Sequence, residues 1–207
     1  MFPLEVAMLP GDDLPLRIFE PRYARLVADC LIADQPVFGV VLIAAGREVG
    51  GGDERYDVGA LARIVEHQAH GDGRYTLRCR VGERITVRRW LPDDPYPRAV
   101  AEVWPDEPGD AVTDDQIQDL QDRVMALFER IAAARGAQLP PRDMLFADVA
   151  MVGDAGKRLY ALASRVPMGP ADRYSVLAAP SAAARRRAVS EAVDTVSAMV
   201  EFQLSAE

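Results

Sequence analysis

Lys157 closes the run Gly153-Asp154-Ala155-Gly156-Lys157 and is the sole lysine in the chain, standing where a phosphate-binding loop would present its cation. Such a loop also needs a glycine at position 151 and a hydroxyl at 158 to ligate magnesium, but Met151 and Arg158 occupy them. No apolar strand leads into the run, so it reads as a helix start with Lys157 as a surface charge. His67 and His70 are the two histidines. Their spacing on a strand running into a turn sends the rings to opposite faces, with no ligand cluster to complete a metal site. Ser164, Ser175, Ser181 and Ser190 lack a nucleophile-elbow motif or a histidine placed to activate them. Gly50, Gly51 and Gly52 followed by Asp53, Glu54 and Arg55 read as a permissive acidic loop that would repel phosphate. No catalytic residue, metal or cofactor is therefore expected.

Arg74, Arg78, Arg80, Arg84, Arg88 and Arg89 crowd two neighbouring predicted strands and form the one local basic patch. Single-strand nucleic-acid readers interleave stacking aromatics with their cations, and only Tyr75 and Trp90 lie near. With a formal net charge of -8, the chain repels phosphate backbones overall. The patch reads as a solvated face paired with carboxylates, and no nucleic-acid partner is expected. No apolar run is long enough to span a membrane, and no basic-then-apolar leader opens the chain, so a cytoplasmic, non-membrane protein is expected. Two cysteines, Cys30 and Cys79, are too few for a disulfide framework and read as core residues.

The elements that would carry these residues divide the chain. Strands are predicted at 2–8, 37–43, 57–68, 74–81, 83–90 and 97–104, with turns at Gly71-Asp72-Gly73 and Gly82-Glu83. A closed or nearly closed antiparallel barrel would hide their edges. Between the first two strands, Leu14-Pro15-Leu16-Arg17-Ile18-Phe19-Glu20-Pro21-Arg22-Tyr23 dictates a strand-to-helix entry. Pro21 suits the first helical position and Glu20 the positive end of the dipole, and Tyr23, Leu26, Val27, Cys30 and Leu31 share one face. Residues 1–104 thus form a β-rich barrel subdomain with one helix, and the acidic stretch 105–112 a linker. Residues 113–207 form a helical bundle. Thr113 and Gln116 have capping-box spacing and Gly136 can end the helix. Shorter helical pieces are expected over 142–151 and 154–165. Ser181 can cap a last helix with Val189, Val193, Val196, Val200 and Leu204 inward. The fold class is α+β.

The strand-to-helix string, with Phe38-Gly39-Val40-Val41-Leu42-Ile43, Glu48-Val49-Gly50, Val58-Gly59, Asp72-Gly73-Arg74 and Asp94-Pro95-Tyr96-Pro97, resembles the N-terminal domain of the ATP-dependent protease Lon. The resemblance covers nearly the whole chain and implies a PUA-like β pseudo-barrel followed by a helical bundle. It points to a standalone Lon N-terminal (LON substrate-binding) domain protein, peptidase S16-like in name, without the ATPase and serine-lysine protease domains. It further implies a noncatalytic module that binds peptides or unfolded and partly folded polypeptide. The alternatives are an adaptor or regulator docking on a folded partner such as a protease or chaperone, and a PUA-like nucleic-acid module. Leu16, Phe19, Tyr23 and Trp104 are the candidate peptide-binding residues, along a groove between barrel and bundle. Phe19 is itself expected to be packed at the barrel-to-helix junction.

Overall fold

A computed structural model describes residues 1–46, 54–147, 149 and 153–205. The expectations that touch Glu48-Val49-Gly50, the Gly50 to Asp53 loop, and Met151 lie outside the described residues. The chain divides into two compact units, Met1–Pro105 and Asp106–Glu207.

In the first unit, β1 (Phe2–Leu4) and β2 (Asp13–Ile18) precede helix α1 (Pro21–Leu31). The strands β3 (Val37–Ala45), β4 (Glu54–Ala69), β5 (Tyr75–Leu91) and β6 (Arg98–Val103) follow. They form one curled, mixed half-barrel sheet in the order β1-β3-β4-β5-β2, with β6 also on β5. Strand β4 runs along one flank of β5, while β2 against Tyr75–Arg80 and β6 against Ile85–Leu91 succeed each other along the opposite flank. Tyr23, Leu26 and Val27 of α1 pack into the curl on Leu14, Ile18, Phe38, Val40, Leu77 and Cys79.

Three details differ from the sequence reading. Strand β1 pairs with β3 in parallel, and among the described residues no pairing joins β1 to β2, so the sheet is open where a nearly closed antiparallel barrel was expected. The extended run starting at Phe2 stops at Leu4 instead of Met8, because only Phe2, Pro3 and Leu4 find partners on β3. Gly82-Glu83 makes no turn: the two predicted strands are the single β5. Its partners step from Ala60–Arg84 to Ala62–Val81, so the extra residue is absorbed as a bulge. The close approach of β3 to β4 fixes Gly59, where a Cβ would stand 2.1 Å from the Val40 carbonyl oxygen.

The Tyr96 hydroxyl before β6 donates to the Asp29 carboxylate of α1 at 2.8 Å, and Arg25 bonds the other oxygen at 3.0 Å. The Tyr96 hydrogen bond, helped by Arg25, holds the Asp29 carboxyl below its usual range. A carboxyl depressed by folding stabilises the fold above its unfolded pKa of about 3.9, and that stability is lost as pH falls through the lower folded value.

The second unit contains α2 (Asp114–Arg135), α3 (Arg142–Leu145), α4 (Ala155–Ala163), α5 (Pro170–Ala178) and α6 (Ala182–Ser205). Thr113 and Gln116 form the full capping box, and Gly136, at φ 60°, ends α2. Ile117, Leu120, Val124, Leu159, Leu162, Val176, Val189 and Val193 are among its buried apolar side chains. Leu204 was expected inward but is 42% exposed, because the last turns of α6 run past the buried stripe that ends at Val196. Inside the unit, Arg185 is 1% exposed, lies 3.8 Å over the Tyr160 ring, and grips the Asp106 carboxylate with both terminal nitrogens.

Two outcomes follow. Asp106→Ala strands the buried Arg185 charge and should cost about 3–5 kcal/mol in urea unfolding, while Arg185→Met, which removes the buried charge itself, should cost less. Tyr96→Phe should lower the melting temperature at neutral pH, with the gap closing as the pH of the melt falls below about 4; a gap that does not change with pH would contradict the Asp29 assignment.

Candidate functional site

The junction of β2 and α1 is built by two turns. In the first, Leu9-Pro10-Gly11-Asp12, the Asp12 N–H donates to the Leu9 carbonyl at 3.0 Å, and the Asp12 carboxylate accepts from the Leu9 N–H at 2.8 Å. Gly11, at φ 98°, donates to the Val81 carbonyl at 2.9 Å, and the Val81 N–H donates to the Asp12 carbonyl at 2.9 Å. That glycine-led bulge fixes the phase of β2. Leu14, Leu16 and Ile18 exchange backbone hydrogen bonds with Cys79, Leu77 and Tyr75 and turn their side chains toward the core. The backbone groups of Asp13, Pro15 and Arg17 face away from β5.

In the second turn the chain leaves Ile18 and enters α1 at Pro21. Glu20 adopts extended angles (φ -78°, ψ 133°), and its carbonyl accepts from the N–H groups of Tyr23 at 3.1 Å and Ala24 at 3.0 Å. Its carboxylate accepts from Arg22 Nε at 3.1 Å, so the Glu20–Arg22 pair belts the helix start. The Arg22 guanidinium lies 4.4 Å from the Tyr23 ring centroid, and Phe2 covers that ring at 4.2 Å.

Between these parts lies a groove of about 170 Å³. Phe2 and Tyr23 line it from the core side, and the run Pro15 to Glu20 along β2 and its exit. Leu16, Phe19 and Tyr23, three of the four residues singled out from the sequence, therefore share one groove. Trp104 is not among its lining residues. It follows β6, under the guanidinium of Arg84 at 4.0 Å, and its carbonyl accepts from Arg84 Nε at 3.0 Å. The expectation that Phe19 is packed is overturned: the residue is 61% exposed. Its phase explains this, since Phe19 continues the outward set Asp13, Pro15 and Arg17, while Tyr23, on the inward face of α1, is 3% exposed. Phe2 and Arg17 also line the groove and are not among the residues singled out from the sequence. The period-two phase through Leu14 and Ile18 was the available signal for Arg17; nothing local in the sequence brings Phe2 here.

Several of the other chemical candidates have structural partners. Arg78 is bonded to Glu66, Arg88 to Glu102, and Arg80 to the Gly11 carbonyl and, at 3.5 Å, to Asp13. The arginine contacts hold the Glu66 and Glu102 carboxyls below the usual range. Arg84 departs from the solvated reading: it is 4% exposed and serves Trp104 and Pro105. His70 bonds the Thr76 hydroxyl at 2.7 Å. Ser175 donates to the Ala171 carbonyl, Ser181 caps α6 by accepting from the Ala184 N–H, and Ser190 accepts from Arg123. The run at Lys157 is the start of α4, capped by Asp154, which accepts from the Lys157 N–H at 2.8 Å. Gly156 is there for packing, because a Cβ would stand 2.7 Å from the Asp106 carboxylate and 2.9 Å from Arg185. Burial pushes the Cys79 thiol up to about 12 and raises that of Cys30. Among the described residues no group of three or more His, Cys, Asp or Glu side chains is placed to hold a metal ion, and no helix is long and apolar enough to cross a membrane.

A curled mixed sheet that holds one helix in its concavity, followed by helices, is the architecture of Lon N-terminal domains. The Lon N-terminal domain protein from Xanthomonas campestris superposes with a TM-score of 0.64 at 23% identity, over 92% of this chain and 93% of that one. The N-terminal domain of the Mycobacterium avium complex Lon protease gives 0.58 at 15% identity, over 93% and 96%. The family model for the ATP-dependent protease La (LON) substrate-binding domain matches residues 1–195, and the chain belongs to that family. It is 30% identical over 200 residues to Lon protease 1 of Herpetosiphon aurantiacus, and 24% identical over 195 residues to Lon protease 2 of Thermus thermophilus. Those alignments take in 86% and 92% of this chain but only 23% of the length of each relative.

The geometry separates Phe19 from Tyr23. Phe19→Ala should leave thermal stability within about 0.5 kcal/mol, as for an exposed side chain. Tyr23→Ala, which empties a packed site under Phe2, should cost about 3–5 kcal/mol. Equal losses in the two melts would contradict the assignment of Phe19 to the surface.

Proposed function

We propose that the chain is a noncatalytic recognition module that holds apolar segments of unfolded or partly folded polypeptide at the β2–α1 groove. The observation that carries this reading is the exposure of the Phe19 ring at the lip of the groove, beside Leu16 and above buried Tyr23. A large apolar side chain held in solvent by a fixed strand-to-helix turn is an anchor without a load. Membership of a substrate-binding family supports the same reading. Covering the exposed three-fifths or so of an aromatic side chain of some 150–250 Å² at roughly 25 cal/mol per Å² supplies about 2–4 kcal/mol before ordering costs, which suits weak and promiscuous capture. Free thiols at Cys30 and Cys79 are in keeping with work in a reducing cytoplasm.

Fluorescence titration with a denatured model protein tests the reading. Binding should be weak, change only a few-fold between low and high salt, and fall in Phe19→Ala. It should survive joint replacement of Arg78, Arg80 and Arg88 by serine. Collapse at high salt or in the arginine variant would favour a nucleic-acid or acidic partner instead. Capture of one folded protein with no affinity for unfolded chains would favour an adaptor. Purified protein should turn over neither ATP nor casein; activity tracking the protein peak would contradict the noncatalytic assignment.

A further inference from the structure

Strand β2 is the last strand of the sheet path, and its outer edge runs along the groove. The register with β5 and the bulge at Gly11 turn the Pro15 carbonyl and both the N–H and the carbonyl of Arg17 away from the sheet. Among the described residues these groups have no backbone partner. Natural sheets blunt such edges with proline, and Pro15 removes one donor here, yet the Arg17 donor and acceptor remain available. The flanking surface is apolar on its inner side, with Phe2, Leu16 and Tyr23, and Phe19 stands on its outer side. The Arg17 side chain is exposed and, among the described residues, pairs with no carboxylate, whereas neighbouring Glu20 is already taken by Arg22.

We infer that the groove binds its client by strand addition: an extended segment pairs with the outer edge of β2 through Arg17. Its alternate apolar side chains cover the groove and a carboxylate meets the Arg17 guanidinium. This rests on the peptide-recognition reading and specifies its mode. Backbone pairing recognises no particular side chain, so it serves promiscuous capture, while alternation and the single cation set a mild preference for apolar segments bearing an acidic residue. The charge contact is exposed and contributes only a few-fold, consistent with binding that persists in salt.

The test uses the full chain and a short synthetic peptide alternating valine and serine with one central aspartate. At saturation, exchange of the Arg17 amide with solvent should slow by about ten-fold or more, while the amides of Leu16 and Ile18, already bonded to β5, change little. N-methylating one alternate set of peptide amides should weaken binding by about ten-fold, and the other set by no more than about three-fold. Arg17→Ala, which keeps the amide, should lose a few-fold. Arg17→Pro should lose much more, and the amide-exchange readout stands should that variant melt early. Binding in which both methylated peptides match the parent and the Arg17 amide is unchanged would overturn strand addition and leave the recognition reading intact. No binding of the peptide or of any denatured protein would overturn both. Slowing of the Arg17 amide without peptide, together with a doubled mass, would overturn the inference by assigning the edge to a second copy.

Discussion

Burial of one face of α1 in the curl of the sheet is the constraint from which the first unit follows. Ile18 is already committed to the sheet interior, and only Phe19 and Glu20 separate it from the helix that carries Tyr23, Leu26 and Val27 into the core. Pro21 makes that entry possible: it is preset for the first helical turn and gives up no hydrogen bond there. The cost falls on the residues between. Phe19 is left with no inward direction, since one side of its position is the strand and the other the helix cap, and its ring remains in solvent. The apolar groove is thus a by-product of the same turn that closes the core.

Charge does different work in the two units. On the sheet, arginines alternate with core residues and are matched across strands by carboxylates, Arg78 by Glu66 and Arg88 by Glu102, in exposed pairs that contribute little to stability. In the helical unit Arg185 is enclosed, and its geometry dictates its surroundings: Asp106 must turn inward, Tyr160 lies under the guanidinium, and position 156 can carry no side chain. Gly156, which with Lys157 looks like the end of a phosphate loop, is explained by this packing.

Features governed by neighbouring residues were legible in the sequence. The entry at Pro21, the apolar face of α1, the capping box at Thr113 and the stop at Gly136 all follow from local backbone and capping chemistry, and all are present. Features set by distant partners were not. Gly82 reads as a turn locally, but partners on both sides of β5 hold it in a strand and leave only a bulge. The parallel pairing of β1 depends on β3, some forty residues away. Helix α5 was overlooked although Gly169-Pro170 supplies a proline-led start. Within the site, Leu16 and Tyr23 were legible as a strand residue and a helix-face residue. At Phe19 phase outweighs hydrophobicity: the alternation that buries Leu14 and Ile18 turns position 19 outward.

The chain belongs to a substrate-binding domain family, and in the proposed reading the exposed Phe19 at the groove by the end of β2 is its anchor. Site-specific photocrosslinking from position 19 tests this most directly. A benzophenone side chain there, with a denatured model protein as bait, should give adducts that unlabelled bait competes away. The same probe at Phe202, exposed on α6, should give few. Adducts concentrated at 202, or absent from 19 while binding is intact, would contradict the account.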